Sequence, residues 1–218
     1  MLKKYFIIST LLFFTYVLNA QKLQFGVFVN PGISWMKTDL SRIEGDGSRL
    51  GVNFGLTADK YFADHYAFAT GISIHNIGGV LKYKEGKTLI ANSGNLQVDS
   101  GGSVRYNLQY VHIPWALKFK TTEIGYTTFF AQLGVNTMIN IRTRASVKDQ
   151  GIESEAVPKE INMFYMGYHI SAGVQYKIVG TTALIGGISY MNGFIDITQN
   201  SDEKTVMHCF EVRIGVVF

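Results

Sequence analysis

The chain has one cysteine, Cys209, and three prolines, Pro31, Pro114 and Pro158. A single cysteine excludes an intramolecular disulfide, so an exported form must rely on hydrogen bonds and packing alone. Few prolines leave long stretches in which a backbone ladder can run without losing a donor. Beyond residue 20 there is no apolar run approaching the roughly 20 residues that a membrane-spanning helix needs. Neither sign of charge dominates: 20 Lys and Arg stand against 16 Asp and Glu. No basic cluster with interleaved aromatics occurs, which argues against a nucleic-acid partner.

The amino terminus supplies the only continuous oily stretch. Lys3 and Lys4 precede an uncharged, largely apolar run from Tyr5 to Leu18, and Asn19-Ala20 precedes Gln21. A basic start, an apolar stretch of about this length and a small residue make a secretory signal peptide, with cleavage expected after Ala20. Residues 1–20 are therefore read as the signal peptide and 21–218 as one domain. Without Lys3 and Lys4, eighteen basic residues face sixteen acids, and the net charge falls to +2.

What is abundant is glycine, with 23 residues, and aromatic side chains, at 13%. That composition suits strands. Read with a period of two, the sequence gives eight alternating segments. In the first, Leu23, Phe25, Val27, Val29, Ile33 and Trp35 share one face. The second puts Leu50, Val52, Phe54, Leu56 and Ala58 opposite Gly51, Asn53, Gly55, Thr57 and Asp59. The third sets Tyr66, Phe68, Ile72 and Ile74 against Ala67, Ala69, Gly71, Ser73 and His75, and the fourth has Val111, Ile113, Trp115, Leu117 and Phe119 on its apolar side. The fifth runs from Phe129 to Ile141 and the sixth from Phe164 to Lys177. The seventh is Thr182 to Asp196, and the last is Phe210 to Phe218.

The connections alternate in length. Loops at Lys37–Arg49, Asn76–Arg105, Thr143–Ile161 and Ile197–Thr205 are separated by short turns around Tyr61–His65, Thr121–Gly125 and Val179–Thr181. Short periplasmic turns and long external loops are a property of outer-membrane barrels. The two faces agree. The non-apolar face is mostly Gly, Ser, Thr, Asn, Gln and Ala, which suits a narrow lumen. A water-facing wall would need Lys and Glu instead. The few charges on that face, Asp59, Lys118, Lys177, Glu211 and Arg213, are expected to pair inside. The expected fold is an all-β, eight-stranded antiparallel transmembrane barrel. The alternative is a soluble periplasmic lipocalin-like barrel with its apolar side inward.

At Tyr110-Val111-His112-Ile113-Pro114-Trp115-Ala116-Leu117-Lys118-Phe119-Lys120 the sequence resembles the PorT-like family of Gram-negative outer-membrane barrels. Members carry an acid where His112 stands and a leucine pair where Trp115-Ala116 stand. The resemblance implies an integral eight-stranded barrel and, for one founding member, a tie to a protein secretion system. A proline within a strand removes a ladder donor, so Pro114 is expected to mark a bulge.

The chain carries few residues in reactive arrangements. Five histidines occupy five separate segments, with no metal-ligand spacing among them and no paired cysteines. Gly45-Asp46-Gly47-Ser48 lacks the series of acids of a calcium loop and reads as an external turn. No catalytic, cofactor-binding or metal-binding residues are assigned, and no cofactor. His169 and Ser171 share a strand face and resemble the His-x-Ser of outer-membrane lipid A deacylases. Ala172 replaces the asparagine expected there, and the pair is on the inward side. That enzyme is the alternative function. The leading expectation is a non-enzymatic barrel acting through its loops, with Lys82, Lys84, Lys87 and Arg105 of the Asn76–Arg105 loop as contact residues and the Thr143–Ile161 loop as a second contact region. Its expected partners are outer-membrane lipids, the barrel-assembly machinery acting on the strand that ends at Phe218, and secretion or envelope proteins. Trp35, Tyr66, Tyr168, Tyr176 and Tyr190 are expected at the lipid interfaces, and Cys209 is expected to pack inside.

Overall fold

A computed structural model describes residues 22–147, 150–199 and 204–218. The expected signal peptide lies outside the described residues. Each alternating segment becomes a long strand: β1 (Leu23–Thr38), β2 (Ile43–Ala63), β3 (Tyr66–Tyr83), β6 (Ser103–Lys120), β7 (Thr127–Val147), β9 (Phe164–Val179), β10 (Thr182–Gly193) and β11 (Thr205–Val217). Three short strands were not foreseen: β4 (Lys87–Ala91) and β5 (Gly94–Val98), which form a separate hairpin, and β8 (Ile152–Ala156), which extends the sheet from β7.

The long strands pair antiparallel in the sequence β1-β2-β3-β6-β7-β9-β10-β11, and β11 returns to β1, so the sheet closes into a ring. Phe25 and Phe218 exchange both backbone hydrogen bonds, at 3.1 and 2.8 Å, at the foot of that closure. A closed ring leaves the long strands without an unpaired edge.

The faces divide as the alternation requires. Leu23, Phe25, Val27, Val29, Leu50, Phe54, Phe68, Phe129, Leu133, Ile170 and Ile214 all face outward and are exposed, Leu50 to 80% and Phe129 to 49%. Asn30, Ser34, Asn53, Asp59, Ser73, His75, Lys118, Gln132, Asn136, Ser171 and Glu211 are buried inside. The lipocalin-like alternative needs the reverse arrangement and is set aside. Cys209 is buried in the interior, as expected.

Four expectations are corrected. The second and third long loops are largely strand: β3 continues to Tyr83, β6 starts at Ser103 and β7 reaches Val147. Gly45–Ser48 lies inside β2 rather than in a turn. Pro114 opposes Asn136 in unbroken register, so it marks no bulge. Its missing donor instead coincides with a gap in the β3–β6 ladder, which skips Gly71 and Ile72 and resumes in the same register. The bulge lies elsewhere. Gln109 opposes Arg142 and Tyr110 opposes Asn140, which leaves Ile141 as an extra residue in β7. Lastly, Lys177 is not lumenal: it lies at the short-turn rim and pairs with Glu123 at 3.2 Å.

Candidate functional site: the lumen and its cap

Inward residues change character along the barrel axis. In the half nearer the short turns they are small or polar, because outward-facing apolar residues already occupy the alternate positions. Lys118 is 2% exposed and pairs with Asp59, while its ammonium also lies 4.9 Å from the Phe130 ring centroid. Glu211 is the second focus. Asn30 donates to its Oε2 at 2.8 Å, Asn53 donates to its Oε1 at 2.5 Å, and His75 Nδ1 lies 3.6 Å from Oε1. Arg213 donates to Gln132 Oε1 at 3.1 Å and lies over the Phe28 ring. His112 bridges Ser73 and Asn136, each at 2.9 Å, and its ring lies 4.1 Å from that of His75.

Of the five charges expected to pair inside, then, only Asp59 and Lys118 pair with one another. Glu211 is held by amides and Arg213 by an amide and a ring. A buried charge needs a partner or several hydrogen bonds, and amides supply them here. The remaining free volume among these side chains is about 30 Å³, room for two or three waters at roughly 10–15 Å³ each. Asp59 Oδ1, His75 Nδ1, Asn136 Nδ2, His169 Nδ1 and Arg213 Nε accept or donate no hydrogen bond within the protein, and their residues line that space.

His169 and Ser171 both point into this lumen and are buried. Neither His169 Nδ1 nor Ser171 Oγ has a hydrogen-bond partner, so the two side chains do not form an activated pair. An activated serine needs a base within hydrogen-bond reach. Among the described residues no group of three or more His, Cys, Asp and Glu side chains could hold a metal.

Toward the long loops the inward residues become apolar: Met36, Ile77, Leu81, Val104, Tyr106, Leu108, Tyr110, Met138, Val147, Tyr165 and Met207 form one core. Leu89 of β4, Val98 of β5, Val157 and Ile161 close it from above. The phenols of Tyr83 and Tyr106 meet at 2.9 Å. Lys87 pairs with Glu160 at 3.0 Å, both largely covered, and Glu160 also accepts from the Ile90 amide at 3.0 Å. The β4–β5 hairpin is thus fastened as a cap. Of the expected contact residues, Lys87 is used inside this cap, Lys84 pairs with Glu44, and Lys82 and Arg105 are exposed. Sequence reading missed the cap. Its one signal was the run of apolar residues at alternate positions, Ile77, Leu81 and Tyr83, on the face that is polar lower down the same strand.

A closed antiparallel ring, oily outside and polar within, agrees with what comparison shows. The model of the outer membrane protein beta-barrel domain matches residues 19–199. The chain belongs to that family. OprG of Pseudomonas aeruginosa aligns with it at 13% identity over 90% of this chain and 94% of OprG, with a TM-score of 0.50. Neisserial surface protein A aligns at 17% identity over 88% of this chain and 95% of its own, with a TM-score of 0.47. Ail, the attachment invasion locus protein of Yersinia pestis, aligns at 12% over 89% and 98%, with a TM-score of 0.43. At such identities the OprG likeness speaks for the fold alone. No curated protein matches in sequence. Membership of the family supports an outer-membrane location, and the exposed Phe, Leu, Ile and Val of the wall supply the physical reason.

Proposed function

We propose that this chain is a non-enzymatic, eight-stranded integral barrel of the Gram-negative outer membrane, released from its signal peptide after Ala20 and acting through its capped outer end. Short turns face the periplasm and the β4–β5 cap faces outward. The carrying observation is the combination of a lipid-suited wall with an interior filled along its length, polar below and apolar above. Such an interior suits neither a water-filled pore nor a lipid-accessible catalytic serine. The PorT-like stretch from Tyr110 to Lys120 supports a place in that subgroup and an accessory part in secretion or envelope assembly. Pairing of β11 with β1 supports recognition of the final strand, ending at Phe218, by the assembly machinery.

The mature protein should need detergent and migrate faster on a gel before boiling than after. A monodisperse protein in plain buffer would refute the reading. In planar bilayers it should give no steady channel conductance, and open-channel steps would count against it. Ser171→Ala should leave lipid A acylation unchanged, whereas a shift in acyl number would favour the deacylase. For the accessory role, cross-linked outer membranes should yield a defined envelope partner that is lost when residues 86–100 are replaced. Recovery of the assembly machinery alone would count against that role.

A further inference from the structure

Three arginines, Arg105 of β6 and Arg142 and Arg144 of β7, lie on the outer side of the wall just above its apolar band, and a fourth, Arg49 of β2, starts opposite the buried Ser34 and threads outward through the β2–β3 seam. The extra residue Ile141 creates two of them. Outward positions in β7 are odd-numbered up to Ile139, so strict alternation would send Arg142 and Arg144 into the core. The bulge shifts the phase: Thr143, Ala145 and Val147 are buried, and Arg142 and Arg144 lie on the outer side. An extra residue in one strand does this because the side-chain period is two.

Arg105 of β6 is exposed, and in the ladders it opposes Val80 of β3 and Ser146 of β7. Gln109 opposes Arg142, and Asn107 opposes Arg144, so Arg105, Arg142 and Arg144 occupy three neighbouring rungs. Arg49 of β2 reaches the same patch across β3. Between Gly47 and Phe54 the β2–β3 backbone ladder is interrupted, and Arg49 donates to the Ile77 carbonyl at 2.8 Å across that seam. A Cβ on Gly78 would come within 3.1 Å of Arg49 Cδ, so the bare glycine leaves room for the arginine stem to cross. Asn76, bonded to Gln109 at 3.0 Å and to the Val52 carbonyl at 2.7 Å, completes a polar row.

No ion pair engages any of the four arginines among the described residues, although the nearby Lys84 has Glu44. Directly below them the wall is apolar, with Leu50, Val52, Ile72 and Ile141 exposed. Guanidinium groups bind phosphate through paired donors in a fixed fork. Cations at the edge of an oily wall meet lipid head groups.

We propose that Arg49, Arg105, Arg142 and Arg144 form a belt that holds the phosphates of an outer-leaflet lipid whose acyl chains lie on the apolar wall beneath. This rests on the membrane placement and orientation proposed above. The occupant is a phosphorylated lipid, because the belt adjoins the surface where only lipid can cover the exposed side chains.

The test uses the detergent-solubilised mature protein titrated with bisphosphorylated lipid A and, separately, with the same lipid dephosphorylated. Binding is followed by native mass spectrometry. The wild type should favour the phosphorylated form by on the order of tenfold or more. Arg105→Glu/Arg142→Glu should lose that preference while keeping its heat-dependent gel shift, and Lys159→Glu, an exposed charge change off the belt, should keep it. Equal binding of the two lipids by a correctly folded wild type overturns the belt, as does a preference that survives in the double variant. Complete displacement by millimolar inorganic phosphate would reduce the belt to a simple anion site and also overturn it. A protein that needs no detergent would instead overturn the membrane placement itself.

Discussion

The lumen shows how single side chains hold a narrow barrel together. Asp59 and Lys118 form a covered ion pair, so Lys118→Met leaves a buried carboxylate alone and should cost about 3–5 kcal/mol. Asp59→Leu in the same background should recover most of that loss, because an apolar pair replaces both charges. Denaturant melts in detergent would read both, and a double variant no better than the single one would show that the pair is not coupled. Glu211→Ala removes the acceptor for Asn30 and Asn53 and should destabilise by about 3 kcal/mol or more, at roughly 1.5–3 kcal/mol for each hydrogen bond to a charged group. Glu211→Gln keeps one acceptor oxygen and should lose about half as much.

Among the strands, β7 shows how a ladder absorbs one extra residue. Deleting Ile141 would join Asn140, opposite Tyr110, directly to Arg142, opposite Gln109, so the ladder closes without a bulge and both parts of the strand keep their faces. The expected outcome is a protein that still reaches the compact, heat-modifiable form; a variant that fails to reach it would show that the bulge itself is needed. Replacing Ile141 with Val should likewise fold normally. The same element shows what sequence could not yield. Period-two reading placed every long strand because one face is oily throughout. It stopped at residue 141 because the bulge breaks the period, and it assigned the rest to a loop. Likewise β3 was ended at His75, where the inner face turns from polar to apolar and the outer face does the opposite, so neither face alone keeps its pattern. The cap escaped for a related reason: β4, β5 and β8 are five residues each, too short for alternation to be distinctive. His169 and Ser171 were placed on the inward face correctly, since the strand around them is regular. Their lack of any mutual bond depends on side-chain geometry that spacing does not fix.

Taken as a whole, the molecule stacks two kinds of protein on one set of strands. Below the level of His75, Tyr110 and Asn140 the wall is oily and the middle polar; above it the middle is oily and the wall carries Arg105, Arg142 and Lys82. Replacing residues 86–100 with a short flexible link should expose the upper core and raise binding of an apolar dye, while the lower half stays folded and heat-modifiable. An unchanged dye signal would show that the hairpin is not what covers that core. The lower lumen, filled by its own side chains, should still block ions.

The height at which the pattern inverts has a mechanical meaning of its own. A ship's hull shows its waterline by a change of paint, and this cylinder shows it on both surfaces at once. From His75 to Tyr83 the third strand runs on for eight residues, about 26 Å at 3.3 Å per step. With strands leaning roughly 40°, the turret stands about 20 Å proud of the bilayer. Draught is therefore fixed by sequence: greasing the turret's outer face should let the molecule sink, and charging the flank beneath should lift it.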